Sequence, residues 1–259
     1  MSELIPLVLT ILAAAGYSMA LARLHRRGDR WPASRAACLF AGSVCVCAAV
    51  LPPVGGHDEY FPVHVGQHVL LGMAGPAFLA LSAPVTLALR ALSPRPHRAA
   101  LRLLHSRPIT IVSSLPAAII LDLGGLYVLY LTGLYRAAED NDVIHAAVHL
   151  HVFLAGCLLS WALIGLDPIR RRPGITARLA ALVAAGAAHD TLAKLIYAHS
   201  LPPGGGSIAS RHIGAELMYY SGTVIDIALA VVLMAQWYQA SGRALARTAR
   251  RGMPEHERL

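Results

Sequence analysis

Arginine occurs along this chain in dense clusters separated by long stretches with almost none, and that alternation limits the fold more than any motif does. A helix needs roughly 20 apolar residues to cross a bilayer. The poorly charged stretches meet that length and predict seven spans, at Leu4–Ala22, Ala36–Leu51, Val63–Leu89, Ile109–Leu134, Val143–Leu166, Ile175–Ser200 and Ile213–Trp237. The connections after spans 1, 3 and 5 and the tail hold nineteen arginines, against only Arg136 and Arg211 in the connections after spans 2, 4 and 6. The positive-inside rule puts the rich side in the cytoplasm, hence the N-terminus outside and the C-terminus inside. Charged residues make up 14% of the chain, well below the roughly 25% of a soluble domain, and the spans leave no length for a separate soluble domain. The expected fold is therefore an all-α polytopic bundle of seven transmembrane helices. It forms one transmembrane domain over 1–259, closed by a basic cytoplasmic tail at 238–259.

The first span carries its basic run (Arg23, His25, Arg26, Arg27) after the apolar stretch rather than before it. That is the reverse of a signal peptide and predicts a retained anchor. The net charge of +8 comes from arginines at helix ends, where they meet anionic headgroups. Membrane lipids, and not nucleic acid, are the expected partners. Cys38, Cys45, Cys47 and Cys157 all fall in apolar spans, which argues against a disulfide framework. Cys45 and Cys47 point to nearly opposite sides of a helix and make a poor chelate.

Topology places the histidines. His64 and His68 open span 3 from outside, His145 and His149 open span 5, and His212 with Glu216 opens span 7. Each pair is spaced i, i+4, which puts both side chains on one helix face. All three pairs lie at one depth and converge if those faces turn into the bundle. His199 closes span 6 as a looser neighbour, His151 is rotated away from the span 5 pair, and His57 with Asp58 and Glu59 reads as a solvated outer turn. His25, His97, His105 and His256 fall on the cytoplasmic side. Imidazole is the commonest metal ligand and suits copper, zinc, iron and nickel. Met73 and Met218 lie near the same level and favour Cu(I). The plain alternative is that interfacial histidines only hydrogen-bond headgroups or neighbouring helices.

Span 7 also carries a continuous polar stripe: His212, Glu216, Tyr219, Thr223 and Asp226. Asp226 lies about 21 Å below His212, deep in the hydrocarbon, where a charge costs about 2.5–3.5 kcal/mol even on insertion scales. The stripe must face protein or trapped water. Asp190 and Lys194 in span 6 are opposite charges at i, i+4 and can neutralise each other, and Asp122 sits in mid-span 4.

The segment His64-Val65-Gly66-Gln67-His68, followed by Leu70-Leu71-Gly72-Met73, Pro76 and Ala83-Pro84, resembles the third-helix signature of CtaG-type cytochrome c oxidase assembly factors. His145-Ala146-Ala147-Val148-His149 running to Ser160-Trp161, and Gly214, Leu217-Met218 and Gly222, are similar to later stretches of that family. In the last helix Arg211-His212 and Tyr219 stand where the family usually has Asp-Gln and Trp. The resemblance implies a seven-helix protein of the bacterial cytoplasmic membrane that supports assembly of a haem–copper oxidase. It also implies copper handling at the outer face, with oxidase subunits or copper chaperones as partners. Residue by residue it reaches His64, His68, His145 and His149.

The expectation is thus a non-enzymatic copper-handling assembly factor. His68 and His149 are its core ligands, His64, His145, His212 and Glu216 complete or gate the site, and Met73 or Met218 supply soft contacts. A homo-oligomer is compatible with the sequence. Two other readings stay open. One is a b-type haem protein moving electrons between two axial histidines. The other is a proton-coupled transporter built on Asp226, Asp190, Lys194 and Asp122. A metalloenzyme ranks last, because no HExxH-like pair is present.

Overall fold

The computed structural model describes residues 4–51, 60–168 and 172–252. His57, Asp58, Glu59, Arg170, Arg171 and His256 lie outside them. The described chain is an all-α membrane bundle. Its first two helices are α1 (Leu4–Arg26) and α2 (Ala33–Val50). The third span is one continuous path in four pieces: α3 (Phe61–His68), a π-helical stretch (Val69–Ala74), α4 (Gly75–Leu81) and α5 (Pro84–Ala91). Short α6 (Pro94–Leu104) and α7 (Arg107–Val112) precede α8 (Leu115–Leu131), and α9 (Leu134–Glu139) follows it. The bundle ends with α10 (Asp142–Ile164), α11 (Ile175–His199) and α12 (Ile208–Gly252). Six of these paths are long and apolar enough to cross a membrane, and the 17-residue α8 is the shorter seventh.

Local chemistry explains where the helices differ from the expected spans. Span 4 is interrupted at Ser113 and Ser114, so Pro116 stands not inside a helix but in the first turn of α8, where its missing N–H leaves nothing unpaired. Pro84 likewise starts α5, after Ala83 takes a left-handed conformation at φ 50°. Pro76 has no N–H to return to the carbonyl of Gly72 four residues earlier, and the helix widens into the π form just ahead of it. Asn141 starts α10 by accepting from the backbone N–H groups of Val143 and Ile144 at 2.9 and 3.2 Å. The last helix runs on to Gly252, so the segment expected as a tail begins as a helix.

The arginine-bearing ends gather at one end of the bundle. Arg27 donates to the Arg90 carbonyl at 3.3 Å, Asp29 pairs with Arg90 at 3.7 Å, and Trp31 is flanked by the guanidinium groups of Arg35 and Arg90. Arg172 and Arg178 both donate to Oε1 of Gln236, and buried Arg178 also holds the Leu163 and Ile164 carbonyls that end α10. Asp167 accepts from the N–H and hydroxyl of Thr86 at 2.7 and 2.6 Å and so caps α5 from the far side of the chain. The opposite end of the bundle carries the starts of α3 and α10 and the end of α11. Its core packs Phe61, Val65, Tyr130, Tyr135, Ile196 and Met218 together. Ile11, Phe40, Ile120, Val183, Val224 and Val231 remain exposed around the outside, as expected of a lipid-facing surface.

At the basic end α6 buries no residue. Arg95, Arg98 and Arg102 recur at spacings of three and four along one face, while Leu103 is 65% exposed beside them. A helix of this pattern is expected to lie in the headgroup region with its arginines toward anionic lipid. A nitroxide placed at Leu103 in vesicles is expected to relax faster with oxygen than with a water-soluble nickel chelate, and one at Arg98 to show the reverse. Equal accessibility at the two positions would remove α6 from the interface.

Candidate functional site

Five histidines from three helices gather in the half of the bundle opposite the arginines. From α10, His145 and His149 sit ring to ring, with centroids 4.2 Å apart and planes nearly perpendicular. His149 lies over His64 of α3, 6.0 Å away and tilted by 26°. One turn further in, His68 of α3 lies against His189 of α11, 5.9 Å away and tilted by 24°. His145 is half-buried, and the other four are buried. The sequence order and the helix directions make this a ladder from the arginine-poor end of the bundle inward. It runs His145, His149, His64, then His68 and His189.

Packing holds each rung. His64 is ringed by aromatic groups, with Tyr135 at 5.0 Å, Tyr130 at 6.0 Å and Phe61 at 6.4 Å between centroids. His68 and His189 have no such company. All four of their ring nitrogens are buried without a hydrogen-bond partner, although a buried polar group left unpaired costs about 1–3 kcal/mol. Glycines make the room they occupy. A methyl group on Gly72 would come within 3.2 Å of His68 Nδ1, and one on Gly222 within 2.5 Å of His189 Cε1.

His189 was not among the residues the sequence reading singled out. The signal was present: a histidine beside Asp190 in the middle of an apolar span is an intramembrane ionisable group and by itself a functional candidate. It lies ten residues inside the end of α11 and does not share the helix-mouth pairing that marked the others.

His212 and Glu216 do not join the ladder. The face of α12 that meets α3 carries Gly214, Ala215 and Met218, because small side chains let helices approach closely, and further along Gly222 meets His189 of α11. A methyl group on Gly214 would run into the Phe61 ring. The polar stripe is thereby turned toward α11. His212 stacks on Tyr197 at 4.1 Å, exposed Glu216 shares a small groove with Lys194, Tyr197 and Tyr219, and Asp226 Oδ2 packs against Gly186. Lys194 and Asp190 do not form the expected ion pair. The ammonium group sits 5.2 Å over the Tyr219 ring, and Oδ1 of Asp190 is buried without a hydrogen bond.

Of the proposed soft ligands, Met218 is fully buried in the core beside Phe61 and Val65, and Met73 is half-buried in the π-helical stretch. Asp122 is half-buried in α8. His151 points to α8, with a ring nitrogen 2.9 Å from the Leu121 carbonyl, and His199 is exposed at the end of α11. Among the described residues no group of three or more His, Cys, Asp or Glu side chains is arranged to hold a metal. The ladder is a series of pairs and not one closed site.

The model of a protein family described as cytochrome c oxidase caa3 assembly factor matches residues 15–240. The chain belongs to that family. The match takes in every rung of the ladder and all of the long helices except the first turns of α1 and the end of α12. An uncharacterized protein of Mycobacterium leprae (strain TN) is 32% identical over 264 residues, which cover 93% of this chain and 40% of that protein. The chain thus spans about two-fifths of the length of the curated relative it matches. No solved structure matches.

Proposed function

We propose that this chain is a non-enzymatic assembly factor of the bacterial cytoplasmic membrane. It receives copper at the extracytoplasmic face and passes it toward a haem–copper oxidase. One observation carries the reading: imidazoles from α3, α10 and α11 line up from the outer mouth into the bundle. The family supplies the oxidase, since its description is that of a cytochrome c oxidase assembly factor. The arginine distribution supplies the side of the membrane.

The chemistry fits a carrier better than a store. A structural zinc site closes four ligands around its ion, whereas here successive pairs each offer two. An ion held by two ligands can be taken by the next pair through an intermediate that touches both. Partial sites of this kind hold cargo and also release it. The π-helical stretch directly after His68 supports the same role, since such bulges inside helices are frequent at functional sites.

The test uses a strain lacking its own copy of the protein. The double variant His64→Ala/His149→Ala is expected to reach the membrane in normal amount while assembled, copper-replete oxidase falls at least tenfold. Wild-type protein loaded anaerobically with Cu(I) should retain copper after desalting and show no Soret band. Normal oxidase levels from the double variant would overturn the reading, and a Soret band in the purified protein would replace copper with haem.

A further inference from the structure

We infer that His68 and His189 together form a buried, two-coordinate Cu(I) site at the inner end of the ladder. The inference rests on the copper reading above and names its terminal site.

The two rings come from different helices, and neither is used to tie those helices together. A buried histidine in an apolar bundle is ordinarily explained by a hydrogen bond across the helix interface. Here the residues are 6% and 3% exposed, and none of the four nitrogens makes one. Two such unpartnered groups side by side call for something that both can bind at once. Two imidazoles coordinating one ion in line at about 2.0 Å each place their ring centroids about 6.2 Å apart, and somewhat less where the nitrogen–metal–nitrogen angle bends. The observed separation is 5.9 Å.

The donor set selects the ion. Only two neutral imidazoles meet here, and among the described residues no third His, Cys, Asp or Glu completes a cluster. Zinc takes four ligands in structural sites and three with water in catalytic ones. Calcium and magnesium need six or more oxygens. Cu(I) is the ion of this group content with two nitrogen donors, and it brings a single positive charge. That matters because no carboxylate is paired with the rings, and a buried divalent charge would stand uncompensated.

The cradle is shaped for the rings. Gly222 stands against His189, where a methyl group would press on the imidazole, while one on Gly72 would meet Val152 first, at 2.8 Å, and then His68 Nδ1 at 3.2 Å. The ladder above supplies the route, with His149 and His64 between the outer surface and the pair. Because the ion arrives and leaves as Cu(I), no electron is exchanged.

Full-length protein in detergent would be titrated with Cu(I) against a colorimetric Cu(I) chelator, and with Ag(I) as a redox-inert substitute. Wild type is expected to take up Cu(I) with an X-ray absorption edge and shell typical of two nitrogens at about 1.9–2.0 Å. His189→Ala and the shape-conserving His189→Gln should both weaken that uptake at least a hundredfold with an unchanged circular dichroism spectrum. His189→Cys should retain it, because a thiolate is a good Cu(I) donor. His64→Ala/His149→Ala should load more slowly but keep the two-nitrogen signature. If both His189→Ala and His189→Gln bound Cu(I) as tightly as wild type, the inference would fall while the copper reading stood. Wild type that took up no Cu(I) would overturn both. Loss in the His189 variants combined with normal oxidase assembly by His64→Ala/His149→Ala would leave the site and remove the function proposed for the outer rungs.

Discussion

Gly156→Ala is expected to cost this protein about 3 kcal/mol or more of stability, although alanine is otherwise the better residue in a helix by about 0.5–1 kcal/mol. The reason lies in how α10 meets the π-helical stretch. A methyl group on Gly156 would fall on the carbonyl of Gly72, with the carbonyl carbon at 2.8 Å. Nothing there can rotate away, because both partners are backbone. The same carbonyl loses its usual helical donor to Pro76, so α10 can approach it without competing for a hydrogen bond. Accommodating the methyl group would push α10 outward by more than an ångström along its length, loosening Phe153 from Val46 and Leu71 and carrying His149 away from His64. Thermal unfolding in detergent should drop by roughly 6–12 °C if the scale of soluble domains holds. Gly66→Ala is the matched control. It lies in α3 with open space around the added carbon, and it should unfold at or slightly above the wild-type temperature. Equal melting of the two variants would show that the Gly72–Gly156 approach is not a constraint on the bundle.

The helix count and the basic end were legible in the sequence because both follow from averages over long segments. Twenty apolar residues flanked by arginine have few alternatives in a bilayer. The i, i+4 histidine pairs of α3 and α10 were legible for a similar reason, since the period of the helix settles which side chains share a face. What could not be read was the rotation of each helix about its axis. For α3 and α10 the histidine faces turn inward. For α12 two faces compete, a polar stripe and a row of small residues, and close packing against Phe61 and Val65 gave the inner position to the small ones. The stripe then found α11 instead, with Tyr197 and Lys194 opposite His212 and Tyr219. His189 escaped notice because its partner, His68, is more than a hundred residues away in sequence. Neither an i, i+4 pattern nor a helix mouth marks it, and only tertiary packing brings the two rings together.

That same packing singles out Gly222, and Gly222→Ala is expected to weaken Cu(I) uptake at the inner pair at least a hundredfold, about 2.7 kcal/mol, while the helices stay folded. The added carbon would stand 2.5 Å from His189 Cε1 and 2.7 Å from Nδ1. Unlike the clash at Gly156, this one meets a side chain, which can turn about its own bonds at modest expense. Turning moves the ring nitrogens by the better part of an ångström, whereas metal–nitrogen distances tolerate only about 0.2 Å. With two ligands and no third to compensate, losing one leaves a single imidazole. Stability and binding should therefore separate. The melting temperature should change by a few degrees at most, and the two-nitrogen absorption signature should disappear. Gly214→Ala, eight residues earlier on the same face, would run into Phe61 instead. It should lower stability and yet leave the Cu(I) signature of the surviving folded protein intact. If Gly222→Ala bound Cu(I) like wild type, the glycine would serve only to bring α12 close to α11, and the shape of the cradle would no longer speak for a metal between His68 and His189.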